Sequence, residues 1–584
     1  MKALRYLDKY FLKYKWRLLI GIFITIFTKI ISLQIPRIIG KSLNAVERYM
    51  KGEILNKSVV KEDLLWNIFL IVALAILAGL LTFFMRQMII VTSRLIEFDL
   101  KNEIYEQYQK LSINFYKKNR TGDLMNRISE DVTKVRMYFG PVVMYSMNMI
   151  FLFIIGFTQM LRIDSTLTLY TLIPFPILSV SIFYISKIIN QRSTIVQEYL
   201  SKLTTYNQEF LSGINVVKSY GIEGMVIAGF DEIADKSKEK NIRLHKVQAL
   251  FFPLMILLIG ISNLLVIYIG GKQYINGEIP IGVIAEFILY VNMLTWPVAV
   301  VGWVTSMIQQ AEASQKRINE FLKEIPEIQN NTTKSFAPNG IITFNDVSLI
   351  YDDTHIKALK NISFSVKSGE TIAILGKTGS GKSSIVNLIS RLYDVSYGNI
   401  TIDNTPIKEI NLIDLRKNIG FVPQDPFLFS DTISNNIKFG KKEATNQEIV
   451  TAAKKAVVHQ DIVGFKDGYN TVLGERGLTL SGGQKQRVSI ARAIIKDPHI
   501  LIFDDCLSAV DTETEEKILT NLEKVSEEKT TFIISHRISS VKNADKIIVL
   551  NEGRIIQQGS HNQLIKQKGY YKQLYDQQLL EKEI

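Results

Sequence analysis

Six stretches in the first half of this chain are apolar for long enough to cross a bilayer. They fall near 17–38, 65–92, 141–161, 166–188, 249–271 and 281–307, matching the about 20 helical residues that a hydrocarbon core of roughly 30 Å requires. Between them, 93–140 and 189–248 are long, rich in Lys and Arg, and keep a helical period, whereas 162–165 and 272–280 are short. With the N-terminus inside, the long basic loops fall in the cytoplasm, as the charge bias of membrane proteins demands. The 39–64 connection is then outside and is a weak exception, carrying Lys41, Arg48, Lys51, Lys57 and Lys61 against Glu47, Glu53, Glu62 and Asp63. Helices continuing through 93–110 reach roughly 25 Å beyond the membrane. Near 318–340 the apolar runs give way to Glu, Lys, Asn, Thr and Pro, the signal of a linker. From Ile341 the alternation through Tyr351 reads as a half-exposed strand, and strand and helix signals then interleave to about residue 555. The pattern predicts an α-helical six-span transmembrane domain over 1–318, a linker over 319–340 and an α/β domain over 341–584.

Composition agrees with that division. The 584 residues are 47% hydrophobic and the mean hydropathy is +0.13, the apolar excess lying in the membrane half. A net charge of +13 admits nucleic acid as a partner. The basic residues cluster around the apolar spans, however, which argues against nucleic acid and for contact with anionic membrane lipids. One cysteine, Cys506, excludes an intramolecular disulfide and reads as an inert small residue beneath a strand. Lys2, Arg5, Lys9, Lys13, Lys15 and Arg17 precede the first span. It lacks a small-residue cleavage site and five spans follow, so it reads as retained rather than as a signal peptide. Leu4, Leu7 and Phe11 share one helical face, predicting an interfacial helix on the cytoplasmic membrane surface. Lys29, Arg86 and Glu286 are charges within spans. Lys29 and Arg86 are expected to snorkel or to pair within the bundle, and Glu286 either sits near the headgroups or faces a cavity. Prolines at 36, 141, 174, 176, 253 and 297 suit kinks and helix ends.

The second half carries the chemistry. Gly376-Lys377-Thr378-Gly379-Ser380-Gly381-Lys382-Ser383, followed by Ser384, lies between a strand-like run at Thr371–Leu375 and a helix-like one, the setting of a phosphate-binding loop. Its backbone N–H groups wrap phosphates, Lys382 supplies charge to the β/γ-phosphates, and the Ser383 hydroxyl suits Mg²⁺. Ile500–Asp504 is an apolar strand ending in a carboxylate, so that Asp504 suits metal positioning.

About a hundred residues after the loop comes Leu480-Ser481-Gly482-Gly483-Gln484, which resembles the signature of ATP-binding cassette (ABC) ATPases. The membrane half is similar to that of exporter-type members: Phe115–Leu124 looks like the first coupling segment and Gln208–Ile214 like the second. The resemblance implies ATP and Mg²⁺ as cofactors, Tyr351 stacked on adenine, Gln424 sensing Mg²⁺, and His536 as the switch at the γ-phosphate. It makes Gly474-Glu475-Arg476-Gly477 the segment that meets the coupling helices and Ser508-Ala509-Val510-Asp511 the loop across the dimer interface. One position departs from the pattern. Members that hydrolyse ATP efficiently carry Glu after the strand-end Asp, and this chain has Asp505. A carboxylate withdrawn by about 1.5 Å makes a weak base, since displacements of about 1 Å cost on the order of a hundredfold. The resemblance therefore implies one subunit of a heterodimeric multidrug exporter of the cytoplasmic (inner) membrane, with a second half-transporter as its partner and an amphipathic substrate. A homodimer with Asp505 as a slower base, as in a lipid flippase, is the alternative. A cassette protein that gates a channel or regulates one is the alternative of another class.

Overall fold

In a computed structural model the chain forms two compact units, residues 1–109 with 122–324 and residues 110–121 with 325–584. The structure describes residues 2–474, 477, 479–507 and 511–583.

In the first unit, six helical segments are long and apolar enough to span a membrane: Lys15–Met50, Lys57–Lys110, Thr121–Ile163, Ser165–Ser212, Glu223–Ile275 and Ile281–Leu322. Each contains one stretch predicted from the sequence. The helices Lys57–Lys110 and Pro174–Ser212 run unbroken from their spans into charged extensions, which keep the helical period, whereas the fifth-span extension Glu223–Gln248 is set off by a turn at Ala249–Leu250. Pro297 lies inside the helix Ile281–Leu322, where it removes one ladder hydrogen bond. Pro174 opens the helix Pro174–Ser212, and Pro141 lies in a π-helical turn at Tyr138–Val142. Gly213 separates that fourth-span helix from Ile214–Tyr220, so the second coupling segment is a helix break.

The apolar face of the N-terminal segment, expected to meet the membrane surface, packs on the protein itself, while Leu12 and Trp16 stay exposed. Leu4 and Leu7 are buried within the protein, and Phe11 stacks on Phe139 with ring centroids 4.7 Å apart. Lys9 pairs with Glu103 at 2.7 Å and Lys13 with Asp99 at 2.6 Å, while Asn319 donates to the Ala3 carbonyl at 3.0 Å. The apolar face that a lipid surface could have taken is covered by the cytoplasmic ends of the second, third and sixth spans.

Glu286 is buried and accepts from the Tyr290 hydroxyl at 2.8 Å, which also reaches the Leu33 carbonyl at 3.1 Å. The Tyr290 hydroxyl thereby joins Glu286 and ties the sixth span to the first. Nearby, the two spans touch through glycines. A Cβ on Gly40 would stand 2.7 Å from the Gly282 carbonyl oxygen, closer than real side chains come, and the Gly282 N–H donates to Asn44 Oδ1 at 2.6 Å. Gly282→Ala is therefore expected to lower stability by about 1–3 kcal/mol through overpacking. Gly79→Ala, whose Cβ meets nothing within 4 Å, is the control. Thermal unfolding of the detergent-solubilised protein checks this, and equal midpoints for the two variants would contradict the close approach.

The second unit is built on two sheets. Strands β1 (Ile342–Ile350), β2 (Lys357–Val366), β4 (Tyr397–Ile402) and β5 (Thr405–Pro406) form an antiparallel sheet in the order β2-β1-β4-β5. Strands β3 (Thr371–Gly376), β6 (Ile419–Val422), β7 (Ile500–Asp504), β8 (Thr530–Ile534), β9 (Lys546–Asn551) and β10 (Arg554–Gly559) form the other, in the order β10-β9-β3-β8-β7-β6. It is parallel from β9 to β6 and closes with an antiparallel β10. β7 is buried along its whole length, as a central parallel strand must be. Cys506 is buried just beyond it and burial pushes its thiol pKa up, so it behaves as a small apolar residue.

Candidate nucleotide site

The strand order decides where the chemistry meets. β3, β8, β7 and β6 are neighbours, and each delivers one motif from its carboxyl end. The glycine loop follows β3, His536 follows β8, Asp504 ends β7 with Asp505 next, and Gln424 follows β6. The crevice outside the carboxyl ends of parallel strands is where α/β sheets bind ligands. Here it is a cleft of about 450 Å³ lined by Tyr351, Thr378–Ser384, Gln424, Asp504, Asp505 and His536.

The loop needs its glycines. Gly381 has φ +99° and a Cβ there would overlap the Ala358 carbonyl oxygen. That left-handed turn starts the helix Lys382–Ile389, so its N-terminal N–H groups and dipole face the cleft. Lys382 Nζ donates to the Gly376 and Lys377 carbonyls at 2.7 and 3.0 Å, spanning the loop. Ser383 Oγ donates to Asp504 Oδ1 at 3.1 Å, setting a hydroxyl beside a carboxylate. Burial pushes the Lys382 ammonium below its ordinary range and the Asp504 and Asp505 carboxyls above theirs, while Lys382 and the two carboxylates partly offset this for one another. Such a site favours a ligand carrying negative phosphates together with a cation.

Asp505 adopts φ +47° and donates its N–H to the Ile534 carbonyl at 2.9 Å. Its two carboxylate oxygens are held separately. His536 Nδ1 lies 3.0 Å from Oδ1, and Gln424 Nε2 donates to Oδ2 at 3.3 Å. The three residues assigned to catalysis from the sequence are thus one connected group. The Tyr351 hydroxyl bonds to Ser384 Oγ at 2.9 Å, which fixes the ring at the cleft edge. Gly376 forms the loop's base, and Lys377 is exposed beside it.

The signature residues lie elsewhere. Ser481 caps the helix Gly482–Ile494 in a reciprocal box with Gln484, whose Nε2 donates to Asp461 Oδ1 at 3.0 Å. Ser481, Gly482, Gly483 and Gln484 do not line the cleft. Glu475 and Arg476 of the segment before the signature, and Ser508, Ala509 and Val510 of the interface loop, lie outside the described residues.

One contact had no signal in the sequence. Lys117, on the short helix Ile113–Lys118, places its Nζ 5.1 Å from the Tyr351 ring centre and 5.0 Å from that of Tyr393. The first coupling segment therefore touches the aromatic residue of the nucleotide cleft, a cation–π contact worth about 0.5–2 kcal/mol.

Comparison with known proteins agrees with this geometry. Residues 18–298 match the ABC transporter transmembrane region and 359–508 the ABC transporter family model. The multidrug resistance-like ATP-binding protein MdlA of Escherichia coli is 34% identical over 588 residues, covering 100% of this chain and 97% of that one. An ATP-dependent lipid A-core flippase of Syntrophus aciditrophicus is 35% identical over 525 residues, 90% of this chain and 87% of that protein. The structure of a bacterial Atm1-family ABC exporter with ATP bound superposes with a TM-score of 0.78 at 26% identity, covering 97% of this chain and 98% of that one. The chain belongs to the ABC transporter family. It is a multi-pass membrane protein of the exporter type, with an ATP-hydrolysing domain in the cytoplasm.

Proposed function

We propose that this chain is one half of a heterodimer that exports an amphipathic compound across the cytoplasmic membrane by ATP-driven alternating access. The observation that carries the reading is the separation of the signature from the chain's own cleft. A cassette whose glycine loop and signature are apart needs a second cassette facing it, each lending its signature to the other's loop. Asp505 adds the asymmetry. Its short carboxylate makes the chain's own cleft the slower site, and its intact signature completes a faster one on the partner.

Within the cleft, Tyr351 receives the base, and residues 376–384 hold the phosphates with Lys382 as their counter-charge. Mg²⁺ fits beside Ser383, Asp504 and Gln424, a hard-oxygen set of the kind that cation takes while keeping water and phosphate as its other ligands. When bound, it neutralises charge on the β- and γ-oxygens. Asp505 orients the attacking water and accepts its proton, and His536 holds the carboxylate and faces the γ-phosphate.

The experiment is accumulation of a fluorescent amphiphile in inside-out vesicles containing the chain and its co-expressed subunit. ATP-dependent uptake against a gradient is expected, and equilibration without accumulation would overturn export in favour of a gated pathway. The flippase relative favours a second reading, a homodimer that moves lipid, and robust ATPase activity of the isolated chain would promote it.

A further inference from the structure

We propose that the transmembrane unit binds the anionic head of its substrate at Lys29 and Arg86. The inference rests on the export reading and deepens it by naming the class of substrate. A cavity of about 370 Å³ lies among the first, second, third and sixth spans, and both cations line it. Its volume is that of a small-molecule site.

Three observations carry the assignment. First, among the described residues the cavity is lined by two positive side chains and no carboxylate. Among the described residues neither Lys29 nor Arg86 has an ion-pair partner, so the expected pairing within the bundle does not occur. Second, the acidic residue nearest in the sixth span is engaged elsewhere. Glu286 is buried against Tyr290 at 2.8 Å and does not line the cavity. Third, Lys29 lies about 18 Å along the helix from residue 17 and about 14 Å from residue 38, the two ends of its apolar stretch, so a lysine stem does not carry its charge out of that stretch. A charge in the membrane interior is costly and persists where it pairs or faces a water-filled path. With no anion supplied by the described residues, the substrate supplies it.

The rest of the wall suits an apolar tail. Met85, Met144, Met149 and Met293 all line the same space, and unbranched thioethers repack around tails of different shape. The site therefore selects an amphiphile with a phosphate, sulfate or carboxylate head, and it disfavours the cationic amphiphile that a generic drug pump would accept.

The test uses the assembled transporter in phosphatidylcholine nanodiscs and measures equilibrium binding without ATP. Dodecyl phosphate and dodecyltrimethylammonium share one tail and differ in the sign of the head. Wild type is expected to bind the phosphate at least tenfold more tightly. Lys29→Gln with Arg86→Gln is expected to lose that preference, about tenfold for each charge-assisted contact removed. Lys29→Arg with Arg86→Lys keeps the charges and is expected to retain it within a few-fold. Trinitrophenyl-ATP binding confirms that each variant is folded. A second arm replaces the added amphiphile with phosphatidylglycerol in the nanodisc. Selective retention there identifies a membrane lipid as the source of the anionic head, and selectivity in the first arm alone identifies a soluble amphiphile. Equal binding of both head groups, or an anion preference that survives the double Gln change, would overturn the proposal. ATP-dependent uptake of the cationic compound alone would leave export standing and remove this inference, whereas no uptake of any amphiphile would remove the export reading itself.

Discussion

Gly482→Val in the assembled transporter is expected to reduce ATP turnover on the order of a hundredfold, while Lys382→Ala in the same chain only slows transport. The contrast follows from where the two residues sit. Gly482 is exposed at the first turn of the helix Gly482–Ile494 and does not line the chain's own cleft. On the proposed dimer, a bulky substitution there leaves the cassette core untouched and acts across the interface, at the partner's nucleotide. In the proposed dimer the helix N-terminus capped by Ser481 presents N–H groups to the partner's phosphate; a valine side chain holds the two apart, and displacements of about 1 Å cost on the order of a hundredfold. In the heterodimer proposed above Lys382 acts in the slower cleft, where its loss weakens nucleotide binding by removing a charge-assisted contact. Steady-state ATPase rates of wild type and both variants, each purified with the partner subunit, check the order of effects. Wild-type turnover in Gly482→Val would remove the signature from the working site. Unaffected nucleotide binding in Lys382→Ala would remove the lysine from the loop's chemistry.

Much of this was legible in the sequence because the signals are local. Six apolar runs have no other use at that length, and a glycine loop between a strand and a helix is defined by consecutive residues. What was not legible depends on which distant surfaces meet. Leu4 and Leu7 form an apolar face whichever surface covers it, and a lipid headgroup layer and a protein groove leave the same periodic trace. Only Glu103, Asp99 and Phe139 arriving from other elements decide for the groove. Lys117, within the segment that resembles the first coupling element, shows no link to Tyr351 until residues 110–121 fold with the cassette and bring the two together. Lys29 and Arg86, 57 positions apart in the chain, show no relation until four spans enclose one cavity. The order of Gln424, Asp504, Asp505 and His536 along the chain carried a resemblance. Their convergence required the strand order β3-β8-β7-β6, which no local pattern encodes.

Asp505→Asn separates the two possible assemblies. In a heterodimer whose partner carries the longer carboxylate, the rate-determining base lies in the other subunit, and this change is expected to lower ATPase activity only modestly. In a homodimer both clefts depend on Asp505, and losing a general base costs on the order of 10²–10⁴-fold. The geometry makes the variant a clean probe. Asn keeps the size of the side chain and can still accept from Gln424 at Oδ2's position, so the backbone held at φ +47° and the bond from its N–H to Ile534 need not change. The pH dependence gives a second readout. Burial holds the Asp505 carboxyl above its ordinary range, with His536 pulling it back, and a base must be deprotonated to act. If this residue limits the rate, activity falls as pH drops through a value above the usual carboxylate range, and that acid limb disappears in Asp505→Asn. We expect little activity from the chain alone and, with the partner present, a modest effect and an unshifted acid limb. Robust hydrolysis by the isolated chain that collapses in Asp505→Asn would instead establish the homodimer, and with it two equivalent sites working on the shorter carboxylate.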